Sequence, residues 1–185
     1  LMRHDPDVLL VGEIRDAETA EIATQAALTG QLVLSSVHAN DTVGAFLRLM
    51  DLGISPFLIS ATLVGVISQR MVRRVCQHCK RLAPAPAEAQ LAYIAEIGDE
   101  RAEFAYGQGC NACARTGYSG RLGVFEIMVM NQNLRSALVA GASADELRNI
   151  ARTSGMVTMW RDGMLKVKEE ITTPSEVLRN VYRVG

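Results

Sequence analysis

Two polar residues come at the ends of predicted strands: Glu13 follows the apolar run 8–11 and Gly12, and His38 directly follows residues 32–37. A carboxylate at the end of a buried strand can orient and deprotonate a water for attack on phosphorus, or help to hold a hydrated Mg²⁺. An imidazole there can donate a hydrogen bond to a terminal phosphate oxygen. The alternatives are an ordinary acidic residue in a strand-to-helix turn and a structural histidine.

A second candidate site consists of four cysteines in two C-x-x-C pairs, with thirty residues between the pairs. Four thiolates in tetrahedral geometry suit zinc, and a site closed by four protein ligands is structural rather than catalytic. The alternatives are unligated thiols or disulfides. His78, inside the first pair, could replace a cysteine, but its position favours solvent exposure. The four candidate ligands are Cys76, Cys79, Cys110 and Cys113.

The elements around Glu13 and His38 predict one crossover unit of a parallel sheet. Residues 8–11 form a continuous apolar run and read as a strand buried on both faces, and residues 32–37 read as a second buried strand. Asp16 caps a helix over about residues 17–29, and Gly30 ends it. If the two strands are neighbours, they lie ~4.8 Å apart and place Glu13 and His38 on the same rim of the sheet.

The rest of the chain predicts mostly helices. Asn40–Asp41 caps a helix over about 42–52, Ser55–Pro56 begins a buried, apolar helix, and another helix lies near 87–97. Residues 123–127 read as a strand and 131–185 as helical, with capping boxes beginning at Ser143 and Thr173. These patterns predict three regions, over residues 1–75, 76–123 and 124–185.

Composition excludes several classes of protein. The 185 residues are 49 % hydrophobic and 21 % charged, with a net charge of −1, so no whole-molecule field attracts nucleic acid or a membrane. The first residues carry no apolar core of a signal peptide, and no apolar run reaches the ~20 residues of a membrane span. None of the three lysines follows a glycine, which excludes a G-x-x-x-x-G-K-[ST] phosphate loop from this chain.

A basic stretch over residues 69–82 contains no acidic residue. It could meet a partner's acidic surface, anionic lipid or a nucleotide, but the default interpretation is a solvated face. Since no aromatic residues are interleaved, the stretch argues against single-stranded nucleic acid as a ligand. The basic residues concerned are Arg70, Arg73, Arg74, Lys80 and Arg81.

Several long motifs, in order over nearly the whole chain, resemble the C-terminal half of the secretion ATPases of type II secretion and type IV pilus assembly. The motifs are R-x-D-P-D-(apolar)₄-G-E-I-R-D at 3–16, T-G-x-L-V-L-S-x-x-H-x-N-D at 29–41, G-I-x-P-F-L-I-x-x-x-L-x-G-V-x-x-Q-R at 53–70, and G-C-x-x-C-x-x-T-G-Y-x-G-R-x-G-V-F-E at 109–126. The cysteine pairs favour the assembly and secretion branch over the pilus-retraction branch. The choice between type II secretion and pilus assembly stays open.

The resemblance implies an α/β fold: part of a RecA-like P-loop ATPase core, with a tetracysteine zinc module and a C-terminal helical region. In that family Glu13 matches the Walker B glutamate and His38 the His-box histidine. Arg3 and Arg15 match arginines that contact the nucleotide or a neighbouring subunit, and the four cysteines match zinc ligands. The full-length protein would use ATP and Mg²⁺ as a hexamer, in the cytoplasm at the inner membrane, to move pilin-like subunits.

The chain begins abruptly, and the family's phosphate loop precedes the matched region, so the sequence predicts a fragment that does not hydrolyse ATP alone. A different class of function is a zinc-stabilised interaction module that docks a membrane platform protein or a neighbouring subunit. A zinc-ribbon nucleic-acid binder is disfavoured by the net charge of −1.

Overall fold

The computed structural model describes residues 6–181, which form strands and helices in mixed order. The α/β class expected from the sequence is confirmed. The chain divides into two compact units. The first unit contains the residues up to Ser68 together with Ile127–Met156, and the second contains Gln69–Glu126 together with the residues from Val157 on. The divisions at 68/69 and 126/127 fall inside strands, and the one at 156/157 falls between two helices. The predicted division into 1–75, 76–123 and 124–185 follows different boundaries and stays a prediction.

The first unit is built on the predicted crossover. Strand β1 (Val8–Ile14) pairs in parallel with β2 (Leu32–Val37), and helix α1 (Ala17–Leu28) connects them. As predicted, the Asp16 side chain caps α1, accepting a 2.8 Å hydrogen bond from the Thr19 amide. Gly30 follows the helix with φ of +98°, a left-handed conformation in which glycine carries no steric penalty.

The expectation that both strands are buried on both faces is wrong. Register pairs Val8 with Leu32 and Leu10 with Leu34, and these four side chains are 48–81 % exposed. Side chains alternate between the faces of a strand, so the other face, which includes Val11 and Val33, packs on the helical core. A continuous apolar run showed that both faces are apolar, but among residues 6–181 nothing buries the outer one.

Four further helices complete the first unit: α2 (Thr42–Asp51), α3 (Pro56–Thr62), α5 (Gln132–Val139) and α6 (Ala144–Thr153). Their N-caps follow the sequence, because Asp41, Ser55 and Ser143 each accept a hydrogen bond from a first-turn amide. The capping box at Ser143 is complete, with the Glu146 carboxylate returning to the Ser143 amide at 2.7 Å. Fully buried side chains at the centre of this unit are Phe46, Ile59, Leu134, Leu138 and Leu147.

Two long strands, β3 (Gly65–Val75) and β6 (Tyr118–Val129), pair with each other. The predicted strand over 123–127 is the middle of β6. Strand β3 was not predicted, because the apolar run after Ser55 read as one helix. That helix ends at Thr62, and the β-branched residues Val64, Val66 and Ile67 favour the extended backbone that follows.

The second unit also contains β4 (Lys80–Pro84) and β5 (Glu103–Gly107), which form an antiparallel pair, and the helices α4 (Ala87–Ile97), α7 (Met159–Lys168) and α8 (Pro174–Asn180). Helix α4 confirms the helix predicted near 87–97. At the core, Tyr93 meets Phe104 edge-on with ring centroids 4.9 Å apart. The region 131–185, expected to be helical, contains four separate helices within its described part.

Candidate functional site

Glu13 and His38 lie together at the carboxyl ends of the two parallel strands. Glu13 is the last residue but one of β1, and His38 directly follows β2. His38 Nε2 is 3.3 Å from Glu13 Oε2, as the adjacent-strand argument predicted. Both side chains are solvent-accessible, with 80 % of His38 and 37 % of Glu13 exposed. The rim is therefore open to a ligand from solvent.

Arg15 binds the Glu13 carboxylate directly. Its Nε donates a hydrogen bond to Glu13 Oε2 at 2.6 Å, and this bond, with a weaker contribution from His38, lowers the pKa of Glu13 below its ordinary value. A carboxylate with a lowered pKa is a weak base but a good acceptor. In this geometry Glu13 is suited to orienting a water, or a water bound to Mg²⁺, rather than to taking its proton. Arg3 lies outside the described residues.

The segment that bears His38 is fixed on both sides. Before it, the Ser36 hydroxyl donates to the carbonyl of Gly12 at 2.9 Å, which joins the two strands near the rim. After it, Asp41 is buried and accepts from the Gly44 amide at 2.6 Å and from Arg148 Nε at 3.0 Å. Sequence reasoning identified Asp41 only as a helix cap and missed Arg148, which lies 107 positions away and carries no local signal.

The four cysteines meet in the second unit. Their Sγ atoms all lie within 4.8 Å of one another, with measured separations of 3.9 Å for Cys76–Cys110 and Cys79–Cys113 and 3.8 Å for Cys110–Cys113. Zn–S bonds of about 2.3 Å in a tetrahedron require sulfur atoms about 3.8 Å apart. A disulfide requires about 2.05 Å, so the disulfide alternative does not fit. His78 is exposed and is not part of the cluster, as expected.

Backbone amides hold the thiols in this arrangement. The amides of Cys110 and Gly117 donate to Cys113 Sγ at 3.2 and 3.3 Å, and the amide of Gly109 donates to Cys79 Sγ at 3.3 Å. The bond from Cys110 lowers the pKa of Cys113 to about 6, whereas burial raises the pKa of Cys79 to about 11. N–H donors pointing at sulfur favour the thiolate form that a metal needs.

Glycines make this loop geometry accessible. A Cβ on Gly107 or on Gly117 would collide with the backbone of the other, so the two loops approach backbone to backbone. Gly117 also has φ of +76°, in the left-handed region that favours glycine. Because neither Gly107 nor Gly117 has a side chain, the loop that bears the second cysteine pair can lie against the loop that follows the first. The resulting set of four sulfur atoms fits a closed tetrahedral zinc site.

Two residues of the basic stretch are used inside the second unit. Arg73 binds the buried carboxylate of Glu176 through Nε at 2.9 Å and Nη2 at 2.7 Å, and its guanidinium lies 4.1 Å from the centre of the Tyr118 ring. Lys80 Nζ pairs with Glu170 at 2.7 Å. The default interpretation of a purely solvated face is therefore incomplete. Both acidic partners lie about 90 positions or more along the chain, beyond any local pattern.

Comparisons with known proteins agree with one another. The family described as "Type II/IV secretion system protein" matches residues 1–179. A type IV pilus assembly ATPase, PilB, of Thermus thermophilus is 49 % identical over 178 residues, which cover 96 % of this chain and 20 % of PilB. Type II secretion system protein E of Pseudomonas aeruginosa is 46 % identical over 182 residues, which cover 97 % of this chain and 35 % of that protein. The chain thus spans between a fifth and about a third of these relatives.

Solved structures share the fold. The Legionella pneumophila ATPase DotB matches with a TM-score of 0.63 at 22 % identity, covering 95 % of this chain and 38 % of DotB. The Yersinia pseudotuberculosis ATPase DotB matches with a TM-score of 0.66 at 17 % identity, covering 96 % of this chain and 37 % of that chain. Among residues 6–181, no helix combines the length and apolar character needed to cross a membrane.

Proposed function

Because the chain belongs to the family of type II/IV secretion system proteins, we propose that it is the C-terminal part of a secretion ATPase with a RecA-like core. In this proposal the full-length protein is a hexamer in the cytoplasm, peripheral at the inner membrane, that drives assembly of pilin-like subunits. The names of its relatives support the ATPase class. The single observation that carries the proposal is the Glu13–His38 pair, 3.3 Å apart at the carboxyl ends of parallel strands, where α/β sheets bind ligands.

Each residue of the rim has a role in this proposal. ATP and Mg²⁺ supply the phosphoryl group and the counter-charge when they are bound. Glu13, whose carboxylate accepts a hydrogen bond from Arg15, orients the attacking water or a water bound to the cation. His38, 80 % exposed, donates a hydrogen bond toward the terminal phosphate. Arg15 and Arg3 are assigned to the nucleotide or to a neighbouring subunit, and the chain alone, which lacks a Gly-Lys pair, does not hydrolyse ATP.

The second unit has a different proposed role, because its four sulfur atoms form a closed set. Cys76, Cys79, Cys110 and Cys113 would hold one structural zinc ion, and no step of hydrolysis passes through it. The separations of 3.8–3.9 Å between three pairs of sulfur atoms support zinc. Platform or assembly proteins of the secretion machine are the proposed partners of the assembled enzyme.

The test of the ATPase proposal is Glu13→Gln in the full-length protein. This change keeps the size of the side chain and removes the charge that orients water, so kcat for ATP should fall at least ~100-fold. Glu18→Gln is the matched control, since Glu18 is exposed in the first turn of α1 and should keep kcat within about twofold. Size-exclusion chromatography checks that assembly is intact. An unchanged kcat in Glu13→Gln overturns the role of Glu13.

A further inference from the structure

We propose that Arg148, in helix α6, is a positioning residue for His38: acting through Asp41, it fixes the segment that delivers the imidazole to Glu13. This inference rests on the proposed function and adds a residue to it from a distant part of the chain. Arg148 does not touch the rim itself. Its contact is with Asp41, three residues after His38.

Asp41 is the anchor of the His38 segment. Among residues 38–41, His38 and Asn40 are exposed and Asp41 is buried, with 7 % of its surface accessible. The segment therefore has one buried side chain with which to fix its path from β2 into α2. Any shift of that side chain moves the backbone that carries His38.

The two oxygens of Asp41 are divided between two helices. Oδ1 accepts from the Gly44 amide at 2.6 Å and caps α2, while Oδ2 accepts from both Nε and Nη2 of Arg148 at 3.0 Å. Only 17 % of the Arg148 side chain is exposed, so solvent screens this pair weakly. Without Arg148, the buried Asp41 carboxylate would lose its counter-ion, and the segment would move toward water to recover solvation.

Helix α6 does not depend on Arg148 to stay in place. Leu147 and Ala151 bury its inner face in the core of the first unit, and the Ser143–Glu146 capping box fixes its first turn. The remaining amine of Arg148, Nη1, binds Asp145, whose side chain is 82 % exposed. Substitution of Arg148 should therefore release Asp41 and leave the helix packed.

The experiment measures ATP turnover of the full-length protein with Arg148→Met, which keeps the length of the side chain and removes its charge. We expect kcat to fall about tenfold with KM for ATP within about twofold, since a small misplacement of a group that acts in the transition state lowers kcat. Arg148→Lys should restore kcat to within about threefold, because one ammonium can replace two N–H groups that meet at a single oxygen. Asp145→Asn, which breaks only the exposed contact, should keep the wild-type rate.

Leu147→Ala distinguishes the positioning role from a purely structural one, in which any loss of stability in α6 would lower kcat. Leu147→Ala creates a cavity in the same helix, so it should lower Tm at least as much as Arg148→Met while keeping kcat within about twofold. The pair Asp41→Asn and Arg148→Met should be non-additive, the double variant losing no more than either single one. If Leu147→Ala lowers kcat as much as Arg148→Met, or if Arg148→Met keeps the wild-type kcat while Glu13→Gln abolishes it, the positioning role is wrong. If Glu13→Gln has no effect, the proposed function fails first and this role with it.

Discussion

The two units of the chain keep their polar chemistry in opposite places. In the first, Glu13 and His38 stand at an exposed rim, and the interior is an apolar core around Phe46 and Ile59, with the buried Asp41–Arg148 ion pair beside the segment that bears His38. In the second, the polar groups are inside: Cys76 is fully buried, and the Glu176 carboxylate has only 4 % of its surface exposed. The first unit presents charged groups to a ligand, whereas the second uses them to hold itself together.

This difference teaches where each unit is vulnerable. An exposed rim can lose a charge with little effect on folding, because solvent screens the groups that remain. A buried centre that loses one ligand or one ion-pair partner leaves the others desolvated and unpaired. Substitutions that keep the size of a side chain but remove its charge or its ligand atom should therefore change activity at the rim of the first unit and stability in the buried centres of the second.

Loss of one cysteine should give the largest difference between the units. Cys110→Ser leaves three sulfur ligands, and structural zinc contributes folding free energy where it binds. We expect hydrogen-exchange protection of residues 76–123 to fall ~100-fold or more, and protection of β1 and β2 to stay within about twofold. Metal analysis should find about one zinc per chain in the wild-type protein and a small fraction of that in the variant.

Ala112→Ser is the matched control for this change, because it introduces the same side chain in the same loop at an exposed position and removes no ligand. It should keep both the metal content and the protection. Equal loss of protection in the two units of Cys110→Ser would contradict the separation of their stability. Absence of metal from wild-type protein purified under reducing conditions would contradict the zinc proposal.

Glu176→Gln should give the next largest effect. Arg73, 40 % exposed, would lose its carboxylate partner, and we expect the free energy of unfolding of the second unit to fall by about 2 kcal/mol. Urea denaturation of the full-length protein, followed by the fluorescence of Trp160 in that unit, measures the change. Glu169→Gln, at an exposed position of the same unit, should change stability by less than about 0.5 kcal/mol.

The effect of Glu176→Gln should depend on pH. Burial alone raises the pKa of Glu176, but hydrogen bonds from Arg73 outweigh it and hold the pKa below the ordinary value of 4.5. A carboxyl group with a lowered pKa in the folded state stabilises above its unfolded pKa and loses that contribution as the pH falls through the folded pKa. The stability gap between wild type and variant should be full at about pH 7 and shrink below about pH 4.5. A gap that widens in acid would contradict this ion pair.

Local signals in the sequence predicted much of the structure. The crossover from β1 to β2, the caps at Asp16 and Ser143, and the meeting of Glu13 with His38 all follow from patterns within about 30 residues. The cysteine cluster followed from spacing and ligand chemistry. These features are local, or they are fixed by a rule of topology that the sequence makes visible.

Contacts between distant parts of the chain were not predictable in the same way. Nothing in the sequence near Arg148 indicates its pairing with Asp41, and Arg73 was interpreted as part of a solvated basic face although it binds Glu176. Strand β3 was missed because a continuous apolar run is compatible with a buried helix or a buried strand. The sequence shows which charged side chains are present, but the tertiary fold decides which of them pair with each other.

The smallest predicted effect is the difference between two helix caps that look alike in sequence. At Ser143 the capping box is complete and exposed. At Thr173 it is half formed, because the Thr173 hydroxyl accepts from the Glu176 amide at 3.1 Å while the Glu176 carboxylate goes to Arg73. The Thr173 side chain is buried, and its hydroxyl also lies 3.0 Å from the hydroxyl of Tyr118.

Ser143→Ala should therefore cost about 1 kcal/mol of stability, the usual loss of an exposed cap. Thr173→Ala should cost about 2 kcal/mol, since it also leaves the Tyr118 hydroxyl without this partner in a half-buried place. Chemical denaturation of the two variants gives both values, and Ser143→Thr and Thr173→Ser, which retain the hydroxyl, should recover most of each loss. Equal costs for the two alanine variants would show that burial of polar groups does not distinguish the second unit from the first.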